Sequence, residues 1–327
     1  MRVWFAGGGT GGHLYPGLAI ARAMTALDPS VEPFFVGAKR GIERELLPAE
    51  GVPHVLLDLH PLYRSRPWEN WKTLRGMFSA WRRLRTLARE QHPALIVGTG
   101  GYASGLALAY GVVHRIPIAL QEANSHPGLT VRLFARFARA VWLGFPEAGK
   151  KLRAKPEVLK DVGCPIAPPP AVRPDRADAR AKWGFPRDGG RVVLIFGGSQ
   201  GARGMNNVVA EWIRRGVAPD TWVIWGTGKA QFEELAPLAS DRVKILPYLS
   251  PITDAYAAAD VAIARAGAMT TAELCAWGIP MFLIPLPTAA ADHQTENARS
   301  LQAAGAAIHL PQRDLTGLML EAIVRNV

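Results

Sequence analysis

Twice in this chain a short apolar run passes through a glycine cluster into a helical pattern, and that repeat constrains the fold most. Val3-Trp4-Phe5-Ala6 leads into Gly7-Gly8-Gly9-Thr10-Gly11-Gly12-His13. Val192–Phe196 leads into Gly197-Gly198-Ser199-Gln200-Gly201-Ala202. A third cluster, Gly98-Thr99-Gly100-Gly101-Tyr102, follows Leu95–Val97. Glycines at such a junction let the backbone approach an anion, and the helix behind them offers N–H donors and a partial positive charge. Tight strand-to-helix turns would explain one loop equally well; two, one opening each half, weigh against that.

Around these loops, short apolar runs alternate with helical patterns. Strands are expected at Arg2–Ala6, Pro33–Val36, Leu95–Val97, Ile116–Leu120 and Ala140–Leu143, with helices over Leu14–Ala26 and Ile42–Glu50. The rhythm breaks at Gly163-Cys164-Pro165 and Pro168-Pro169-Pro170, a linker composition. It restarts with strands at Val192–Phe196, Thr221–Trp225, Val243–Leu246, Val261–Ile263 and Met281–Ile284, and a helix from about Met205. Such alternation implies parallel α/β sheets. The chain of 327 residues is therefore expected to form two domains, 1–163 and 164–327.

Two cysteines, Cys164 and Cys275, rule out a disulfide scaffold and suit a reducing setting. Neither has a neighbour at metal-ligand spacing. The apolar start is too short for a signal-peptide core, and no stretch approaches the ~20 apolar residues of a bilayer span. The net charge of +11 is uneven: residues 1–163 carry 22 Lys and Arg against 12 Asp and Glu, and residues 164–327 carry 16 against 15. A basic half suits nucleic acid, an anionic membrane or a phosphorylated substrate. The absence of any nucleic-acid motif sets the first aside.

Gly7-x-Gly9-x-x-Gly12 also fits the dinucleotide fingerprint. A dehydrogenase needs an acid at the end of the second strand to hold a ribose. That strand ends Phe35-Val36-Gly37-Ala38-Lys39-Arg40, with no acid but two cations that would accommodate a 2′-phosphate. An NADP-dependent oxidoreductase thus stands as an alternative.

In the second half, Arg265-Ala266-Gly267-Ala268-Met269-Thr270-Thr271-Ala272-Glu273 follows a strand. Thr270 and Glu273 have capping-box spacing, so Glu273 either caps a helix or offers its carboxylate to the vicinal hydroxyls of a ribose. Gln294 and Asn297 lie three apart in Asp292-His293-Gln294-Thr295-Glu296-Asn297. On a helix they share a face that either binds sugar hydroxyls or is merely solvated.

Taken together these segments resemble the MurG family of peptidoglycan glycosyltransferases. The likeness rests on Gly8-Gly9-Thr10-Gly11-Gly12-His13-x-x-Pro16, Gly100-Gly101-Tyr102-Ala103-Ser104-Gly105 and Glu122-x-Asn124-x-x-Pro127-Gly128. In the second half it rests on Gly197–Ala202, Arg265–Glu273 and Asp292-His293-Gln294-x-x-Asn297-Ala298. The resemblance implies the GT-B architecture, two doubly wound Rossmann-like α/β domains facing across a cleft. It implies UDP-N-acetylglucosamine as donor and an undecaprenyl-diphosphate-linked muramoyl-pentapeptide as acceptor, without a cofactor. Ser199 and Gln200 would contact the donor diphosphate; Ala268, Met269, Thr270 and Glu273 the uridine, with Glu273 on the ribose; Leu249 the uracil; Gln294 the sugar. Thr10, Gly11, Gly12 and Asn124 would complete the site from the N-terminal side.

The chain departs from the family pattern in two places. Gln121-Glu122-Ala123-Asn124 stands where the family has His-Glu-Gln-Asn, and Gly163-Cys164-Pro165-Ile166-Ala167 where it has Gly-Asn-Pro-Val-Arg. A diphosphate-holding arginine is thus missing at Ala167, with Arg173 a nearby substitute. Loss of a charge-assisted bond costs ~1.5–3 kcal/mol, which keeps open a catalytically weak relative that only binds UDP-sugar. The helix before Val327 looks unfinished against the family, as in a shortened chain.

The resemblance also implies an α-linked donor and a β-1,4-linked product, and hence an inverting reaction. One base must take the acceptor's 4-hydroxyl proton, and His13, of the one side-chain type whose ordinary charge change falls near neutrality, is the candidate; alternatively it only caps its helix or binds the acceptor diphosphate. No Asp-x-Asp occurs, so a metal-bridged diphosphate is not implied. Last, residues 63–89 interleave Trp68, Trp71, Leu74, Met77, Phe78, Trp81, Leu84 and Leu87 with cations from Arg64 to Arg89. That pattern predicts an amphipathic helix that packs partly on the first sheet and partly on anionic headgroups, at the cytoplasmic face of the membrane.

Overall fold

A computed structural model describes residues 1–59, 70–198 and 202–325, and the chain divides into two compact units, Met1–Ile166 and Ala167–Val327. The first unit is a parallel seven-stranded sheet. Its strands are β1 (Arg2–Gly7), β2 (Glu32–Ala38), β3 (His54–Leu57), β4 (Leu95–Gly100), β5 (Ile118–Glu122), β6 (Ala140–Leu143) and β7 (Leu159–Asp161). Their spatial order is β3-β2-β1-β4-β5-β6-β7. The connecting helices are α1 (Gly11–Leu27), α2 (Glu43–Ala49), α3 (Asn70–Gln91), α4 (Tyr102–Val113), α5 (Leu129–Phe134) and α6 (Pro146–Gly149).

Strand period explains how one apolar run serves two faces. Trp4 and Ala6 join the core formed with Ala80, Leu84 and Leu87 of α3, Ala107 of α4 and Val131 of α5. Val3 and Phe5 join the opposite core, with Leu14 and Leu18 of α1 and Leu47 of α2. A sheet covered on both sides needs strands that are apolar at every position, and β1, β4 and β5 are buried almost throughout.

The second unit repeats the design with six parallel strands: β8 (Arg191–Phe196), β9 (Thr221–Gly226), β10 (Val243–Leu246), β11 (Val261–Ala264), β12 (Met281–Leu283) and β13 (Ala307–His309). Their order is β10-β9-β8-β11-β12-β13. Its helices are α7 (Arg176–Lys182), α8 (Arg203–Arg215), α9 (Lys229–Leu235), α10 (Ile252–Ala258), α11 (Ala268–Trp277), α12 (His293–Ala303) and α13 (Gly317–Arg325). Val192, Leu194 and Phe196 face one core; Val193 and Ile195 face the other, against Met205 and Val209 of α8 and Leu320 of α13.

Every strand expected from the sequence is present. Three that carry no clear signal, β3, β7 and β13, are sheet edges. With pairing on one side only, they are short and half-exposed, so their sequences lack a continuous apolar run. In each sheet the strand order reverses beside the first strand of the unit, between β1 and β4 and between β8 and β11. Ligands of doubly wound sheets sit at the carboxyl ends of the strands at that reversal, which is where the glycine loops emerge.

Candidate active site

In the first unit the loops after β1 and β4 interlock. A Cβ at Gly7 would run into Thr99 Oγ1, and one at Gly101 into the carbonyl oxygen of Gly8. Thr99 Oγ1 donates to the His13 carbonyl at 2.6 Å, which pins the first turn of α1 to the end of β4. Thr10 is the N-cap residue of α1, yet its hydroxyl does not cap the helix. Thr10 Oγ1 instead lies 3.1 Å from His13 Nδ1, within hydrogen-bond reach. His13 is half-buried, with Thr10 and Gly12 exposed around it and Gly11 half-buried. The imidazole is therefore held by its neighbours and reachable from solvent, as a base requires.

Beneath this loop lies Glu43, a residue that sequence reasoning passes over. It is fully buried. Its carboxylate accepts the Gly9 N–H at 2.9 Å and the Ala38 N–H at 2.9 Å. A donor that a pyrophosphate would need is already occupied by an internal carboxylate, whose charge opposes a phosphate there. The dinucleotide fingerprint is in this chain a structural turn. In the sequence Glu43 is one of two acids, with Glu45, in the first turn of a short helix, and nothing local marks it out.

Glu122, at the end of β5, plays a similar part for the next loop. One oxygen accepts the backbone and side-chain N–H groups of Asn124 at 3.0 and 3.3 Å, and the other accepts Gly128 N–H at 2.8 Å. Burial pushes its carboxyl up, against these bonds. Asn124 is thereby fixed half-buried at the carboxyl end of the sheet. Beside it, Gln121 is buried, and neither its amide oxygen nor its nitrogen has a partner among the described residues.

In the second unit, Ser199 and Gln200 lie outside the described residues. The turn after β11 is described in full. α11 begins at Ala268 with Gly267 as N-cap, so Thr270 sits inside the first turn and does not cap. The capping-box explanation of Glu273 therefore fails: its Oε2 accepts the Tyr256 hydroxyl at 2.6 Å instead. Burial raises the Glu273 carboxyl above the usual carboxylate range, and the Tyr256 bond opposes the rise. Ala268 is buried, and Met269 and Thr270 are half-buried on the same turn. Leu249 is buried in the core beside Phe196 and against Gly226.

The two amides of α12 part company. Gln294 is half-buried, and its Oε1 accepts the Leu286 N–H at 2.9 Å, bracing the loop after β12. Asn297 is fully buried, and its Nδ2 donates to the Ala266 carbonyl at 3.1 Å. It shapes the β11–α11 turn from behind. Arg173 does not stand in for the arginine missing at Ala167. Its guanidinium donates to the carbonyls of Trp277 and Ala276, the latter at 2.6 Å, and so caps the carboxyl end of α11.

Arg265 is a further residue that sequence reasoning left without a role. It is buried, and donates to the carbonyls of Ile284 and Pro285 at 3.1 and 3.0 Å and to Gln312 Oε1 at 2.6 Å. Its Nε has no partner among the described residues, and burial pushes the guanidinium down to about 10. Gln312 also lies against Gly204, at the start of α8. One side chain thus ties the ends of β11 and β12 to the helix behind the second glycine loop.

Comparison with known proteins agrees with both units. Residues 3–143 match the glycosyltransferase family 28 N-terminal domain, and residues 192–327 the family 28 C-terminal domain. A protein of Acetivibrio thermocellus, named UDP-N-acetylglucosamine--N-acetylmuramyl-(pentapeptide) pyrophosphoryl-undecaprenol N-acetylglucosamine transferase, is 36% identical over 320 residues. That alignment covers 96% of this chain and 86% of the relative. A protein of the same name from Carboxydothermus hydrogenoformans is 38% identical, covering 95% and 84% of the two chains. Among solved structures, MurG of Acinetobacter baumannii matches with a TM-score of 0.75 at 26% identity, over 99% of this chain and 90% of that one. The paired family domains and the near full-length identity leave no place for an oxidoreductase: the chain belongs to glycosyltransferase family 28.

Proposed function

We infer that this protein transfers N-acetylglucosamine from UDP-N-acetylglucosamine to the 4-hydroxyl of an undecaprenyl-diphosphate-linked muramoyl-pentapeptide, with inversion at the anomeric carbon. The observation that carries the donor half is Glu273, a half-buried carboxylate oriented by a phenol at the strand-order reversal of the second sheet. In this reading Glu273 receives the ribose hydroxyls, Ala268, Met269 and Thr270 line the uridine, Leu249 backs the uracil, and Gln294 meets the sugar. Ser199 and Gln200 meet the diphosphate. Asn297 and Arg265 serve by shaping the turns that do so. Departing UDP gains charge, and the N-terminus of α8 offers a partial positive charge to it.

On the acceptor side, Thr10, Gly11, Gly12 and Asn124 form the receiving edge, and His13 takes the 4-hydroxyl proton. The proton moves to the imidazole as the new glycosidic bond forms and the bond to UDP breaks. The lipid-linked acceptor requires the enzyme at a membrane surface. Among the described residues no helix is long and apolar enough to cross one; in this reading the association is peripheral, on the cytoplasmic face where the UDP-sugar is available.

The deciding experiment is turnover of UDP-N-acetylglucosamine on a lipid-linked acceptor analogue. Turnover with release of UDP is expected. Donor binding without turnover would instead establish the weak, binding-only relative. In the same assay His13→Ala should cut kcat by ~10²–10⁴; a loss under tenfold in a folded variant rejects His13 as the base.

A further inference from the structure

We propose that Tyr256 is the positioning residue that gives the donor site its selectivity for ribose over deoxyribose, by holding the carboxylate of Glu273. The proposal rests on the assignment of Glu273 to the ribose.

The geometry is closed on three sides. Tyr256 lies on α10 and is only 3% exposed. Its ring packs against Phe196, the last residue of β8, at 6.3 Å between centroids, and against Trp277, the last residue of α11, at 5.8 Å. A phenol wedged between those two rings has one direction for its hydroxyl, and that direction is Glu273 Oε2 at 2.6 Å. Burial and the neighbouring carboxylate push the phenol's ionisation upward, so at neutral pH it is always a donor.

The consequence for the ligand follows from lone-pair geometry. A carboxylate offers about four acceptor positions over its two oxygens. The phenol fills one, on Oε2, and fixes the plane of the group. The remaining positions on Oε1 and Oε2 are then set at the spacing of two vicinal hydroxyls. A ligand lacking the 2′-hydroxyl leaves one of these positions desolvated and unpaired, which is the strongest source of discrimination a polar site has. Without the phenol the carboxylate rotates about its terminal bond and protonates more readily, since the bond that opposes its burial is gone. A rotated or protonated group accepts one hydroxyl as readily as two, so selectivity falls although the acid itself remains.

The test compares UDP with 2′-deoxyuridine diphosphate as ligands of the full chain. Dissociation constants are read by calorimetry, and kcat at saturating donor is measured alongside. The wild type is expected to favour UDP by at least tenfold. Tyr256→Phe, which keeps the ring and its packing, should narrow that ratio to within about threefold. It should also move upward the pH below which UDP affinity declines. Glu273→Gln should abolish both the ratio and the pH dependence. If Tyr256→Phe keeps the wild-type ratio while Glu273→Gln loses it, Tyr256 is a packing residue and the proposal is overturned. If Glu273→Gln keeps the ratio, or the wild type has none, the assignment of Glu273 to the ribose has failed instead. Should Tyr256→Phe not fold, Tyr256→Met is judged by the same two ratios.

Discussion

Two carboxylates do different work because of how deeply each is buried and what points at it. Glu273 is half-buried and, among the described residues, receives a single donor, the Tyr256 hydroxyl, so it has capacity left for a ligand. Replacing it with Gln removes a charged acceptor, and hydrogen bonds to charged groups contribute ~1.5–3 kcal/mol. Glu273→Gln should therefore raise the donor KM by roughly 10- to 150-fold, with a melting temperature close to wild type. An unchanged KM with a lowered melting temperature would assign it to the fold. Its pH behaviour has a definite sign. The carboxyl is raised by burial, and only the ionised form accepts two hydroxyls. Donor KM should thus climb as pH falls, at a higher pH than for a surface carboxylate, and the climb should vanish in Glu273→Gln. Glu43 is the opposite case, fully buried with its oxygens spent on the Gly9 and Ala38 N–H groups. Glu43→Ala leaves those donors unpaired at ~1–3 kcal/mol each. A melting temperature lowered by several degrees is expected, with the fall in activity tracking the loss of fold rather than a change in donor KM.

The elements that position the site are glycine loops whose residues are dictated by close approach. Gly101 lies at φ +75° with its missing Cβ aimed at the Gly8 carbonyl. Gly101→Ala combines a strained backbone with a clash against another backbone, which no side-chain rotation relieves. It should destabilise the protein by several kcal/mol in denaturant titration. Gly163→Ala, also at positive φ but with open space around it, should cost only the ~1–2 kcal/mol of the left-handed backbone. Equal losses at the two positions would contradict the interlocked loops. This contrast also explains what could be foreseen. Central strands and their loops are legible in sequence because burial on both faces demands continuous apolar runs and the turn demands glycine. Edge strands such as Leu159–Asp161 obey neither demand. Within the site, Glu273 and His13 stand out by motif, whereas Glu43, Tyr256 and Arg265 act through contacts between elements far apart in sequence. Glu43 meets Gly9 across 34 residues and Tyr256 meets Glu273 across 17, and no local pattern encodes either. Asn297 shows the converse: its spacing from Gln294 suggested a shared ligand face, but helix period cannot tell a wet face from one turned to a buried carbonyl.

Charge is divided between the two halves of the chain, and that division bears on where the enzyme works. Residues 1–163 hold the excess of cations and residues 164–327 are nearly balanced. In the first unit, α3 and α5 pack on the same face of the sheet, through Leu84, Leu87 and Val131. The expected stripe over 63–89 is thus partly core: Leu84 and Leu87 are buried, and Trp81 packs on Tyr110 at 5.1 Å. Residues 63–69 lie outside the described residues. Met77 and Phe78 remain 40% and 68% exposed, flanked by exposed Arg82, Arg83, Arg85 and Arg89. On α5 and the turn after it, Leu129, Leu133 and Phe137 are exposed and alternate with exposed Arg132, Arg136 and Arg139. Apolar side chains rimmed by arginines suit a bilayer interface with anionic headgroups. Each cation near such a surface contributes ~1 kcal/mol. Arg82, Arg83 and Arg85 together should then account for about 3 kcal/mol, and replacing all three with Glu should weaken binding to anionic vesicles by at least roughly 150-fold. Co-sedimentation with vesicles of graded anionic content checks this, with salt as the second variable, because screening within about 10 Å at 0.1 M weakens headgroup contacts but spares apolar insertion. Phe78→Ser should lower binding without changing its slope against salt, whereas the triple charge reversal should flatten that slope. Binding to neutral vesicles equal to that on anionic ones, or a triple variant that binds like wild type, would move the membrane contact away from this face.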